Sequence, residues 1–185
     1  LIVSGLPRSG TSLMMKMLDA AGLEVLTDSL RVADGDNPEG YYEYERVKKL
    51  PQGDTEWLEN AGGKAVKVIS ALLEHLPNSF HYQVIFMQRD LQEILASQQK
   101  MIENRGLAAN PVPKHLLEQV ARKLLICVEK WLAAQSYIQK IDINYNLLLQ
   151  SPQPTLVQLN HFLGDRLNIE QMLQVIRQDL YRNRR

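Results

Sequence analysis

The first twelve residues hold the combination of residue types that is most informative about chemistry. Gly5 and Gly10 enclose a short segment that contains Arg8, and the hydroxyl residues Thr11 and Ser12 follow at once. Glycine lets a backbone approach a ligand closely, hydroxyls donate hydrogen bonds, and a guanidinium offers phosphate or sulfate a fork of donors. The combination favours binding of an anionic oxygen group.

The flanking residues predict that this segment joins a strand to a helix. An apolar run lies before Gly5, and Leu13, Met14, Met17 and Leu18 follow at helical spacing. The unpaired NH groups and the dipole of a helix N-terminus both favour an anion there, so we predict a phosphate-binding loop. A buried strand that leads into a capped helix, without a ligand, is the structural alternative.

Composition limits the classes of protein to which the chain can belong. Its 185 residues are 45% hydrophobic and 23% charged, which excludes a disordered chain and predicts one domain over residues 1–185. Twenty-one basic residues balance twenty-one acidic ones. No overall field therefore attracts the chain to nucleic acid or to a membrane surface.

Cysteine usage and hydropathy bear on location. Cys127 is the single cysteine, which excludes an internal disulfide and fits a reducing compartment, so we expect a cytoplasmic protein. No apolar run approaches the roughly 20 residues that a membrane span needs. Because the sequence starts on Leu1 within a predicted strand, we expect an initiator Met upstream and leave a targeting segment open.

The order of predicted elements indicates an α/β fold. Strand-like runs lie at 65–70, 82–87 and 137–143, with a short one at 23–26. Helical patterns cover 41–50, 55–60, about 90–104, 114–139, 145–150, 152–163 and 168–181. We predict a three-layer, P-loop-like domain with a small parallel sheet flanked by helices, in which helix 114–139 packs a broad apolar face on the core.

A second candidate anion site follows the strand at 82–87. Arg89 stands at the end of that strand, and Ser97 lies eight positions later in the following helix. Both therefore fall near the carboxyl edge of the sheet, where open α/β sheets bind ligands. As structural alternatives, Arg89 pairs with Asp90 or Glu93, and Ser97 is an exposed helix serine.

These motifs together resemble the sulfotransferase superfamily that uses 3′-phosphoadenosine 5′-phosphosulfate (PAPS). The resemblance is carried by the segment GLPRSGTS after the first strand, by Arg89 with Ser97, by residues 143–148 (INYNLL) and by residues 162–164 (FLG). A late Arg-Lys-Gly segment that many cytosolic members share is missing from the sequence.

The resemblance implies a role for each matching residue. Arg89 and Ser97 would bind the 3′-phosphate, and Arg8 would support the bridging oxygen during transfer. The 5′-phosphosulfate would be held by Gly5, Pro7, Arg8, Ser9, Gly10, Thr11 and Ser12. The implied partners are the donor PAPS, the product 3′,5′-adenosine bisphosphate and an unidentified acceptor with a hydroxyl or amine. The scheme requires no metal.

The acceptor also needs a general base, for which the acidic region after the first helix supplies Asp28, Glu39 and Glu43. We favour Glu43, because relatives carry a similar stretch and because Gly40 can turn the chain toward the loop. As the structural alternative, Glu43 caps a helix or pairs with Arg46 or Lys48.

Three other groups of cations have structural interpretations that we favour. Lys67 is expected to point outward from an edge strand rather than into the cleft, His75 to be structural, and the tail 181–185 to be solvated.

A small-molecule P-loop kinase is the first alternative function, although Thr11 replaces the lysine of the G-x-x-x-x-G-K-[ST] pattern. A nucleotide-binding module without catalysis is the second.

Overall fold

A computed structural model describes residues 1–28, 30, 40–104, 106 and 112–176. Within these residues one sheet of four parallel strands has the order β2-β1-β3-β4. The strands are β1 (Ile2–Gly5), β2 (Val66–Lys67), β3 (Tyr82–Gln88) and β4 (Ile138–Asn144).

Helices cover both faces of the sheet. The α-helices are α1 (Thr11–Ala20), α2 (Leu91–Asn104), α3 (Lys114–Ala133), α4 (Tyr145–Gln150), α5 (Pro152–Phe162) and α6 (Ile169–Val175). Short 3-10 helices span Glu45–Gln52, Glu56–Asn60 and Ser70–His75. No helix in the described ranges is long and apolar enough to cross a bilayer.

Alternation along the strands produces the two halves of the core. Val3 and Ile85 belong to the cluster that packs on α1 and α4–α6, whereas Ile2 and Val84 belong to the cluster that packs on α3 and the 3-10 helices. Successive strand side chains point to opposite faces. The residues of β1 and most of those of β3 are buried on both faces because helices cover each side of the sheet, whereas the edge strand β4 alternates apolar with polar residues. The predicted three-layer α/β fold with a small parallel sheet is confirmed.

The strand order creates a crevice at one place on the sheet. From β1 the chain continues to β2 on one side, and from β3 it continues to β4 on the other side. The carboxyl ends of β1 and β3 therefore flank the topological switch point, where open α/β sheets bind their ligands. The segments that follow these two strands carry the two predicted anion sites.

The packing of α3 differs from the sequence-based expectation. The helix ends at Ala133 rather than at 139, and its buried side chains are Val128 and Leu132. Val120 and Ile126 are 65% and 55% exposed. The expected broad packing on the core was wrong, because only the last turns of α3 join the cluster that contains the Ser70–His75 helix.

The segment before the first 3-10 helix also differs from expectation. Residues 23–26 form one isolated bridge, between Val25 and Ala65, rather than a strand. The helix predicted at 41–50 begins only at Glu45, because Tyr42 has a φ of 50°, which an α-helix does not allow. Residues 41–44 are therefore non-helical, and the carbonyl oxygen of Tyr41 accepts a hydrogen bond from Ser12 Oγ in the first turn of α1.

Candidate functional site

The loop between β1 and α1, residues 5–12, is shaped by close contacts at its two glycines. A Cβ atom on Gly5 would lie 2.4 Å from Ser9 Oγ and 2.7 Å from the carbonyl oxygen of Met87. A Cβ on Gly10, where φ is 101°, would lie 2.3 Å from the Tyr145 ring. Larger residues are therefore excluded at both ends of this 5–12 loop for steric reasons.

Ser9 leaves a buried hydroxyl without a partner inside the loop. Its side chain is 1% exposed, and Oγ has no hydrogen-bond partner among the residues that the structure describes. Buried polar groups are normally paired, and an orphaned donor beside a helix N-terminus suits the oxygen of a phosphate or sulfate. The loop therefore fits the anionic group that its sequence predicts.

Arg8 links the loop to the second predicted anion site. It has a φ of 75°, an unusual left-handed conformation for a residue with a side chain. Its Nε donates a hydrogen bond of 3.0 Å to Ser97 Oγ, although the two residues are 89 positions apart. Arg8 and Ser97, predicted to contact different ends of one nucleotide, thus lie side by side at the β1/β3 crevice.

Arg89 lies against the same loop and is held from several directions. Its Nη1 donates to the carbonyl oxygen of Arg8 at 3.0 Å, and its Nε donates to Glu93 at 2.9 Å. Its guanidinium carbon lies 4.5 Å from the centre of the Tyr145 ring, a cation–π distance. The ion pair with Glu93, proposed as a structural alternative for Arg89, is therefore present together with a direct contact to the 5–12 loop.

Tyr145 contributes a wall that joins these parts of the site. It follows β4 directly, which places its ring beside Gly10 and beneath Arg89. Burial raises the pKa of its phenol, with the neighbouring Arg89 acting in the opposite direction. Its position at a strand–helix junction was visible in the sequence, but its contact with the loop was not.

Lys67 is a site residue that the sequence interpretation placed wrongly. Its side chain is 7% exposed instead of pointing outward, and it contacts the carbonyl oxygen of Tyr41. Its Nζ lies 3.4 Å from Ser12 Oγ, in the first turn of α1. A lysine within an apolar strand that ends at this edge was the available signal, because a buried ammonium needs polar partners.

Glu43 is linked to the 5–12 loop by Lys67, which lies near both Glu43 and Ser12. Its carboxylate lies 3.9 Å from Lys67 Nζ and 3.5 Å from Lys48 Nζ, and its side chain is 18% exposed. The predicted pairing with Lys48 is thus present, whereas Arg46 pairs with Asp54. The hydrogen bond from Lys48 to Glu45 raises the pKa of Lys48, with the nearby Glu43 also contributing.

The other two candidate bases differ from Glu43. Both carboxylate oxygens of Asp28 accept backbone NH groups, those of Leu30 at 3.1 Å and Glu45 at 2.5 Å. These bonds give Asp28 a structural role in fixing the chain beside the site. Glu39 lies outside the described residues.

The remaining candidates lie away from this cluster or outside the described chain. His75 closes the 3-10 helix Ser70–His75 and lies 3.9 Å from Glu74. The tail 181–185 is among the residues that are not described. A search of the described part of the chain finds no group of three or more metal-ligating side chains.

Comparisons with known proteins agree with this arrangement at the level of the fold. No family model and no characterised protein sequence matches the chain. Among solved structures, the sulfotransferase domain from the curacin biosynthetic pathway matches with a TM-score of 0.54 and 16% identity, over 97% of this chain and 78% of that one. The sulfotransferase domain of the Synechococcus PCC 7002 olefin synthase matches with a TM-score of 0.54 and 13% identity, over 98% and 78%.

A third structure is mouse sulfotransferase SULT7A1 complexed with PAP, with a TM-score of 0.53 and 13% identity. The match covers 95% of this chain and 62% of SULT7A1. The chain has the sulfotransferase fold. In this fold the 5–12 loop, Arg89 and Ser97 lie at one crevice, as their positions after β1 and β3 predicted.

Proposed function

We propose that the protein is a sulfotransferase that moves a sulfuryl group from PAPS to a hydroxyl or amine of an acceptor. The observation that supports this most is the convergence of Arg8, Ser97 and Arg89 at the β1/β3 crevice of a sulfotransferase fold. A nucleotide with phosphate groups at both ends of its ribose needs two adjacent anion sites. The 5–12 loop and the Arg89–Ser97 pair supply them.

In this proposal the 5–12 loop holds the 5′-phosphosulfate. Gly5, Pro7 and Gly10 shape the backbone, the NH groups at the start of α1 point at the anion, and the hydroxyls of Ser9 and Thr11 donate to its oxygens, joined by that of Ser12 when it turns from the Tyr41 carbonyl oxygen. The orphaned hydroxyl of Ser9 supports this role, because a bound oxygen would satisfy it. Arg89 and Ser97 hold the 3′-phosphate.

The transfer step is assigned to Glu43, Lys67 and Arg8. Glu43 accepts the proton of the acceptor as a new bond forms between its oxygen or nitrogen and sulfur, and the bond from sulfur to the 5′-phosphate oxygen breaks. Arg8 neutralises the charge that develops on that leaving oxygen, and 3′,5′-adenosine bisphosphate is the product. Lys67, between Glu43 and Ser12, adds positive charge beside the transferred group.

A transfer assay tests this function. The full chain is incubated with PAPS labelled on sulfur and with acceptors of four classes, namely sugars, peptides, lipids and phenols. We expect label in one class together with stoichiometric 3′,5′-adenosine bisphosphate. Tight binding of the bisphosphate without transfer to any class would favour a nucleotide-binding module, and dependence on ATP and magnesium would favour a kinase.

A further inference from the structure

Glu93 is a buried carboxylate whose two oxygens are both engaged at the second anion site. The residue is 4% exposed, and its partner Arg89 has a side chain that is 8% exposed. One oxygen accepts Arg89 Nε at 2.9 Å, and the other accepts Asn146 Nδ2 at 3.0 Å. Burying an ion pair costs desolvation energy that the attraction between the charges only partly offsets, so stability alone explains the pair poorly.

The partners of this pair come from different parts of the fold. Glu93 lies in the first turn of α2, whereas Asn146 and Tyr145 begin α4. The Arg8 carbonyl, which accepts Arg89 Nη1, belongs to the 5–12 loop. Three elements thus converge on one guanidinium, which fixes both its plane and its direction relative to the loop.

We propose that Glu93, supported by Asn146, is a positioning residue that orients Arg89 toward the 3′-phosphate of the nucleotide. This inference rests on the proposed function. An arginine side chain loses considerable rotamer entropy when a ligand orders it, and an arginine already held by a buried carboxylate does not incur that cost on binding. Planar guanidinium recognition of phosphate also depends on direction.

Two effects of Glu93 on the nucleotide oppose each other, which makes the inference testable. Its negative charge repels a nearby phosphate, so removal of the charge raises affinity if electrostatics dominates. Its hydrogen bond orients Arg89, so removal lowers affinity for ligands with a 3′-phosphate if positioning dominates. A ligand without a 3′-phosphate should respond to neither effect strongly.

The experiment compares 3′,5′-adenosine bisphosphate with 5′-AMP by calorimetry on the full chain. In Glu93→Gln the preference for the bisphosphate should fall about tenfold, which corresponds to about 1.4 kcal/mol. Affinity for 5′-AMP should change less than twofold. Glu93→Asp, which restores the carboxylate, should recover part of the preference.

Asn146→Ala keeps the charge of Glu93 and removes its second hydrogen bond, so it tests positioning even if Glu93→Gln does not fold. We expect the preference for the bisphosphate over 5′-AMP to fall about threefold in this variant. Glu118→Gln is the matched control, because Glu118 forms an i,i+4 pair with Arg122, whose side chain is 62% exposed. It should leave the preference unchanged.

The outcomes separate this inference from the function on which it rests. An unchanged or increased preference in folded Glu93→Gln and Asn146→Ala overturns the positioning role alone. Equal affinity of the unmodified chain for the two nucleotides overturns both the positioning role and the proposed two-anion site.

Discussion

At the scale of single residues, the hydroxyl of Ser9 offers a test of whether the 5–12 loop binds an anion or only joins a buried strand to a capped helix. It is buried without a partner among the described residues, as is that of Ser70, which lies on the other side of the sheet against α3. A buried unpaired hydroxyl lowers stability, so its removal should not harm the ligand-free fold. Of these two serines, Ser9 is the one that lies where the nucleotide is proposed to bind.

The variants Ser9→Ala and Ser70→Ala should therefore have similar thermal stability without ligand but different affinities for the nucleotide. We expect neither to lower the midpoint of thermal unfolding without ligand. Ser9→Ala should weaken binding of 3′,5′-adenosine bisphosphate by about 1.5 kcal/mol, the lower range for a hydrogen bond to a charged group, whereas Ser70→Ala should leave it unchanged. Equal affinities of the two variants would remove Ser9 from the site.

Glu43→Gln tests the proposed base. It removes the proton acceptor but keeps the shape of the side chain near Lys67, so we expect the rate of sulfuryl transfer to fall about 100-fold or more. Affinity for the bisphosphate should stay within about twofold. The rate is measured with labelled donor under saturating nucleotide.

Glu45→Gln is the matched control for Glu43, because the carboxylates of both residues contact Lys48. Full activity is expected in this control. If Glu43→Gln were equally active, the role of base would pass to Glu39, to Asp28 or to no residue; Asp28 is the less favoured of the two because backbone NH groups already engage both of its carboxylate oxygens.

Much of the site could be predicted at this scale because its residues follow strand ends in recognisable patterns. The sequence placed Arg8, Ser97 and Arg89 at one edge, and the structure brings them into contact. Lys67 was misplaced because a lysine in an edge strand usually points to solvent. The Arg89–Glu93 pair was an alternative that the sequence offered. The contact of Glu93 with Asn146 and those of Tyr145 were not predictable, because they depend on how α4 meets α2 and the 5–12 loop.

At the scale of elements, the junction of β1 with α1 depends on the close approach of α4. Gly10 permits it in two ways, through a φ of 101° and through the absence of a Cβ that would collide with Tyr145. Gly22 provides a comparison, since its φ is 90° but a Cβ there would meet no atom within 4 Å. An alanine at position 22 therefore tests backbone strain alone, whereas an alanine at position 10 tests backbone strain together with steric collision.

Gly10→Ala should therefore cost more than Gly22→Ala. Both substitutions force alanine into the left-handed region, at about 1–2 kcal/mol. Gly10→Ala adds displacement of the Tyr145 ring from Arg89, so we expect a further loss of stability together with loss of bisphosphate binding. Unfolding and calorimetry check both expectations, and identical behaviour of the two variants would contradict the steric account.

The elements themselves were predictable to different degrees. The strands that became β1, β3 and β4 and the helices α1, α2, α4 and α5 follow clear periodicity or β-branched runs. The region 41–44 was assigned wrongly to a helix, because Tyr42 has a left-handed φ and the carbonyl oxygen of Tyr41 is held by Ser12 and Lys67. Such tertiary contacts leave no periodic signal in sequence.

At the scale of the whole molecule, the fold narrows the choice of function more than the composition does. The chain spans 78% of two sulfotransferase domains and 62% of SULT7A1, at 13–16% identity. That likeness shows the fold, so the activity is a proposal that depends on the site. The cytoplasmic location and the single domain over 1–185 stay predictions, and the acceptor was not predictable because pocket shape selects it.

The central claim at this scale concerns which nucleotide the protein binds. A chain that balances 21 basic with 21 acidic residues has no strong overall attraction for polyanions. Binding must therefore come from the 5–12 loop and the Arg89–Ser97 pair. A ligand that bridges both sites should bind more tightly than one that occupies the loop alone.

Thermal unfolding of the full chain with 3′,5′-adenosine bisphosphate, 5′-AMP or Mg-ATP tests this claim most directly. At a hundredfold excess over its Kd, the bisphosphate should stabilise the chain by about 2.7 kcal/mol. At the same concentrations, 5′-AMP and Mg-ATP should stabilise it clearly less. Stabilisation by Mg-ATP alone would contradict the account and favour a kinase.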